Sequence, residues 1–145
     1  MAYGESTSPE VERVAKITVD AIFKVHSELG PGLLESIYEA CLEYELKKRG
    51  LRVRRQVVLP VIYDGVQLDA GLRVDLIVEE CLVVEVKSVE RMPPIFEAQT
   101  LTYLKLTKLP LALLVNFNVV LIKDGIQRVI LSDRKRRCAI PQDDP

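Results

Sequence analysis

The chain has 145 residues, 48% of them hydrophobic and 28% charged, which suits one ordinary domain and leaves no room for a second. That composition excludes a disordered tail protein, a collagen-like repeat and a disulfide-stapled miniprotein. A net charge of −1 excludes a globally basic nucleic-acid binder, so any such function must come from local charge.

Met1 to Glu10 is polar and acidic, unlike a signal peptide. Ser8 is placed to cap a helix and Pro9 to occupy its first position. Apolar residues from Val11 to Leu29 recur at helical spacing, which predicts a first helix over Pro9 to Leu29. Gly30-Pro31-Gly32 ends it. A second helix is expected over Leu33 to Arg49, with Leu34, Ile37, Tyr38, Cys41, Leu42 and Leu46 on its apolar face and Gly50 as its stop. Strands are expected over Arg52 to Tyr63, where Pro60 marks an edge or a bulge, and over Val66 to Val78, interrupted at Gly71. Asp64-Gly65 joins these two strands as a hairpin turn. Leu82 to Ser88 reads as strand, Pro93-Pro94 opens a third helix to Thr107, and Leu111 to Phe117 is an apolar strand. Val119 to Lys123 and Ile126 to Leu131 read as a second hairpin through Asp124-Gly125.

The order α-α-β-β-β-α-β-β-β predicts an α/β domain with a mixed sheet flanked by helices. Its strand–helix–strand unit from Leu82 to Phe117 should join parallel strands by a right-handed crossover. The domain is expected over residues 1–133, followed by a basic, then acidic, disordered tail over 134–145. The longest apolar run, Leu109 to Ile122, is too short and interrupted to span a bilayer, so no membrane partner is expected. Cys41, Cys81 and Cys138 are far apart and read as reduced thiols of a cytoplasmic protein.

Lys47, Lys48, Arg49, Arg52, Arg54 and Arg55 put six positive charges into nine residues, with no acid from Lys47 to Tyr63. Such a stretch can neutralise phosphates, or can be a solvated helix end whose cations complement the helix dipole. Arg134 to Arg137 adds a second basic run.

The strongest clue is a conflict with strand patterning. Asp75 interrupts the apolar run Leu72 to Val78, and Glu85 and Lys87 interrupt Leu82 to Lys87. Strand side chains alternate, so Glu85 and Lys87 share one face and Val84 and Val86 the other. A buried charge is costly unless it is paired or binds metal. Register decides whether these groups meet. A three-residue loop, Glu79-Glu80-Cys81, sets Val78 against Leu82 and brings Asp75 opposite Glu85; a two-residue turn separates the charges. The three-residue loop or an equivalent bulge is predicted. Adjacent carboxylates raise each other's pKa, a conflict that Mg²⁺ or Mn²⁺ relieves. Lys87 could then orient a water or stabilise charge on a phosphoryl group. The plainer alternative is an ion pair of Lys87 with Glu85 or Asp75.

Glu35 and Tyr38 lie three apart in the second helix, and Gln99 and Tyr103 four apart in the third, so each pair shares a face. Glu35 also suits a helix N-terminus whatever its function. Gln99 and Tyr103 could equally be a surface amide and a partly buried ring. His26, the only histidine, reads as a packed or surface residue.

Together these residues resemble the PD-(D/E)XK nuclease superfamily, and more closely its small bacterial GxxExxY family. The name motif reads Gly32-Leu33-Leu34-Glu35-Ser36-Ile37-Tyr38, preceded by Val25-His26-Ser27-Glu28-Leu29-Gly30-Pro31. Asp75 matches the metal-binding aspartate, Glu85-Val86-Lys87 the E-x-K element, and Gln99-Thr100-Leu101-Thr102-Tyr103 the Q-x-x-x-Y motif of RecB-like nucleases. The similarity runs from about Pro9 to Leu131; Val74 stands where the superfamily name has proline.

The resemblance implies a restriction-endonuclease-like fold and Mg²⁺- or Mn²⁺-dependent hydrolysis of phosphodiester bonds in nucleic acid, with DNA as the expected substrate. It implies that Asp75 and Glu85 hold the metal with the Val86 carbonyl, and that Lys87 assists the attacking water. Glu35 would act on the metal through water or bind a second one, and Gln99 and Tyr103 would support the site or touch the nucleic-acid backbone. Arg52, Arg54 and Arg55 would flank the incoming strand, and a homodimer could cut both strands. The alternatives are a nuclease-like domain that binds nucleic acid or a protein partner without cleaving, and a plain domain whose charges form ion pairs.

Overall fold

The computed structural model describes residues 7–131. Arg134 to Arg137, Cys138 and the expected tail lie outside that range.

The first helix, α1, spans Pro9–Leu29, and the Ser8 hydroxyl caps it by accepting the Val11 N–H. Helix α2 spans Glu35–Lys48 and stops ahead of Gly50, whose φ of 87° few residues with a side chain adopt. Strands β1 (Val53–Tyr63), β2 (Val66–Val78) and β3 (Leu82–Lys87) follow, then α3 (Pro94–Thr107), β4 (Leu111–Asn116) and β5 (Ile126–Ile130). The sheet order is β1-β2-β3-β4-β5. Only β3 and β4, joined through α3, run parallel, so the sheet is mixed as expected.

Two apolar layers sandwich this sheet. On one face α1 and α2 bury Val14, Ile22, Leu42 and Leu46 against Leu76, Val84, Val86, Leu113 and Val115. On the other, Leu104 of α3 packs on Ile77, Val83, Ala112 and Leu114. β3 therefore alternates as expected between the two cores. β3 and β4, covered on both faces, are almost wholly buried and, apart from Glu85, Lys87 and Asn116, apolar, as central parallel strands are.

One expectation about strands is borne out and one is corrected. β2 extends from Val66 to Val78, but its ladder with β1 is interrupted at Gly71: register shifts between the Leu59–Leu72 and Val61–Leu68 pairs, so residues 69–71 of β2 stand opposite Pro60 alone on the edge strand β1. The glycine is required there by close approach, because a Cβ would come within 2.7 Å of the Val58 side chain and 3.1 Å of the Leu59 carbonyl oxygen.

The segment Val119 to Lys123 is not a strand, so the described sheet has five strands rather than the expected six. Ile122–Gly125 forms a short 3₁₀ turn. His26 Nε2 lies 2.8 Å from the Val119 carbonyl oxygen, which ties this segment to α1 rather than to the sheet edge. Gly125 packs so closely on the Asn116 carbonyl that a Cβ would overlap it. Asp124-Gly125 thus closes a loop folded back on β4.

Candidate active site

The loop between β2 and β3 contains the three predicted residues, Glu79-Glu80-Cys81, and sets Val78 against Leu82, Ile77 against Val83 and Leu76 against Val84. Regular pairing stops there, one step short of Asp75 and Glu85. The β1–β2 ladder also skips one step, from Arg55–Leu76 to Val57–Val74, leaving Gln56 and Asp75 out of it. Gln56 has a left-handed φ of 54°. The sheet is thus locally broken on both sides of Asp75. One consequence is that Val74 and Ile77 both pack on the α3 side while Leu76 faces α1 and α2, so strict alternation fails at this point.

Carboxylates occupy the break. The Val86 N–H donates to Asp75 Oδ2 at 2.8 Å, and the Asp75 N–H donates to Glu85 Oε2 at 3.0 Å. Side chains thus take backbone donors that a regular ladder would have used. Glu85 is 3% exposed. Burial, and then the charge of Asp75, push its carboxyl up to about 8. Asp75 is also raised, first by burial and further by the charge of Glu39, although the Val86 N–H opposes the shift. The pair is electrostatically unsatisfied as two anions, which is the condition a hard cation relieves.

Lys87 follows Glu85 on the same face of β3. Its positive charge favours the ionised forms of both carboxyls. Among the described residues it makes no ion pair with either. Its Nζ sits 4.4 Å from the centre of the Phe96 ring on α3, a cation–π contact that holds the amine beside the acids without neutralising them. Tyr103 of α3 also belongs to this neighbourhood: burial raises its hydroxyl pKa, and the charges of Glu85 and Asp75 raise it further. Gln99, one turn earlier, is exposed.

From the other layer, α2 contributes Glu35 at its first position and Glu39 one turn on. A cleft of about 270 Å³ is lined by Glu35, Ser36, Glu39, Gln56, Asp75 and Val86. Glu35 Oε2 accepts the Ser88 N–H at 3.2 Å, just past the end of β3. Tyr38, on the same helix face, is structural. It is fully buried, stacks on Phe117 at 4.4 Å, donates to the Gly30 carbonyl and accepts the Leu33 N–H at 3.1 Å. The Gly-rich link and the tyrosine therefore fix where α2 begins, and so where Glu35 stands.

Asp75 and Glu85 meet, and Glu35 shares the cleft with Asp75. Among the described residues, however, no three His, Cys, Asp or Glu side chains form a ready-made ion-binding set. The donor chemistry fits a divalent cation, since the two adjacent carboxylates are hard oxygen ligands whose mutual repulsion such an ion would remove.

Each arginine of the basic stretch is compensated by an acid. Arg52 pairs with Glu79 at 3.1 Å and Arg54 with Glu80 at 2.6 Å, both across the β1–β2 ladder from the β2–β3 loop. Arg55 reaches Glu39 and Glu43 of α2, each at 3.3 Å. Arg55 is thus the member of this group tied to a residue of the cleft. Sequence reasoning missed Glu39 and Gln56. Glu39 stands one helical turn after Glu35 and was recoverable from that spacing; nothing in the sequence marks Gln56 as left-handed.

The family model of the PD-(D/E)XK nuclease superfamily matches residues 12–129, so the chain belongs to that superfamily. Comparison with curated proteins and with solved structures gives no match. None of the described helices is long and apolar enough to cross a membrane.

Proposed function

From membership of the PD-(D/E)XK nuclease superfamily, we propose that this chain is a cytoplasmic, Mg²⁺- or Mn²⁺-dependent nuclease of the GxxExxY group that hydrolyses phosphodiester bonds in DNA. The observation that carries the reading is the convergence of Asp75 and Glu85 where β2 parts from β3, with Lys87 two residues on. Asp75 and Glu85 would hold the ion, with the Val86 carbonyl as a further ligand. When bound, the cation would acidify a water and offset the charge that builds on the phosphate.

The chain's own residues do the rest. Lys87, whose amine lies over the Phe96 ring, is available to orient the attacking water and to balance charge on the phosphoryl group. Glu35 orders water at the mouth of the cleft. Tyr103 supports the acidic pair from α3, and Gln99, exposed one turn away, is placed to meet the nucleic-acid backbone. The Arg52 and Arg54 side chains are solvent-exposed, where water and salt screen an ion pair, so phosphate can compete with Glu79 and Glu80 for their guanidinium groups. Arg55 flanks the same strand nearer the site. The nuclease domain occupies residues 1–133, and a homodimer would present one site to each strand.

Cleavage of linear and circular DNA, and of single- and double-stranded substrates, is assayed with Mn²⁺. The expected result is metal-dependent cleavage that Lys87→Ala abolishes while Mn²⁺ affinity is largely kept. Absence of cleavage by a wild type that still binds DNA would instead support a non-cleaving nucleic-acid-binding domain.

A further inference from the structure

We propose that Gln56 is a positioning residue for Asp75, itself anchored by Glu39; as a statement about metal binding, this rests on the nuclease reading above. The starting observation is backbone geometry. A residue with a side chain rarely adopts φ near +54°, least of all inside a strand, and such conformations persist where surrounding contacts over-determine them. Here the contacts are polar. Gln56 Nε2 lies 2.9 Å from Oε1 and 2.5 Å from Oε2 of Glu39, and 3.3 Å from Asp75 Oδ1. Its neighbours are acceptors, so the amide group facing them is the NH₂, whose two protons can serve both carboxylates. Glu39 is 5% exposed and is held in turn by Arg55 Nε at 3.3 Å.

The arrangement fixes Asp75 from two sides. Oδ2 is tethered to the Val86 N–H and Oδ1 to the Gln56 amide, which together set the carboxylate plane. The choice of an amide matters. An arginine at the same point would orient Asp75 equally well but would cancel its charge. A neutral donor leaves the negative charge for a cation, as partners behind metal-ligating groups commonly do. Glu39 and Gln56 thus act on the metal through Asp75, without being ligands themselves.

Gln56→Gly tests this, because glycine suits the left-handed backbone and removes only the amide. Two readouts are taken: hydrogen exchange of the Val86 N–H in metal-free protein, and Mn²⁺ affinity by calorimetry. The expected result is a melting temperature no lower than wild type, Val86 exchange faster by about tenfold relative to the Val84 and Leu113 amides, and Mn²⁺ affinity weaker by about tenfold. Should the glycine variant not fold, Gln56→Asn, which tolerates the same backbone and has a shorter amide, is read by the same Val86 measurement. Unchanged Val86 exchange overturns the proposal. If wild type binds no Mn²⁺ while Val86 exchange still rises in the variant, the metal reading fails and the positioning of Asp75 stands.

Discussion

Replacing Glu85 with glutamine should stabilise the metal-free protein, and the gain should grow with pH. A carboxyl with an ordinary value of 4.5, pushed up to about 8 in the folded state, keeps its proton there after the unfolded chain has released its own. Between these values the folded state binds more protons than the unfolded state, so stability falls as pH rises. The contribution is intact below pH 4.5, erodes from there to about 8, and is fully lost above. At 1.36 kcal/mol per pH unit, the penalty is roughly 3 kcal/mol at pH 7 and approaches 5 kcal/mol at pH 9. Glutamine removes the titration. Its carbonyl oxygen can still accept the Asp75 N–H that Glu85 Oε2 receives. Thermal unfolding in EDTA across pH 4 to 9 is the assay. For a chain of this size the difference at pH 9 corresponds to a rise on the order of 10 °C. Glu85→Gln and wild type should converge near pH 4. Equal melting temperatures at pH 9 would show that Glu85 ionises without penalty, and that no electrostatic conflict exists for a cation to relieve.

Two smaller predictions concern the scaffold. Tyr38→Phe keeps the stack on Phe117 but strands the Gly30 carbonyl and the Leu33 N–H, so stability should fall by about 1–3 kcal/mol on denaturant unfolding; an unchanged midpoint would mean that the hydroxyl does not hold the helix link. Thr18 is fully buried in α1 with no hydrogen-bond partner for its hydroxyl among the described residues. Thr18→Val should therefore raise stability by about 1 kcal/mol, and a lower melting temperature would reveal an acceptor or buried water there.

Much of this site is legible from residue order because few physical rules govern it. Charged residues inside apolar strands demanded a reason, and alternation plus one loop length fixed the register that brings Asp75 to Glu85. Helices α1 and α3 follow from Ser8, Pro94 and periodicity. Long-range features were not legible. The acids that pair with Arg52 and Arg54 come from a loop some 26 residues on, so a locally uncompensated basic run is compensated in space. Val119 to Lys123 has a strand's composition, but His26, ninety-three positions earlier, binds its backbone. Gln56 turns left-handed in a contact with Glu39 and Asp75 that no local pattern encodes.

The central claim is that Asp75 and Glu85 together form a cation site. Calorimetric titration of Mn²⁺ into wild type and into the Asp75→Asn, Glu85→Gln double variant tests it most directly. Saturable binding to wild type is expected, and none to a double variant that melts cooperatively. No binding by wild type, or undiminished binding by the folded double variant, would contradict it.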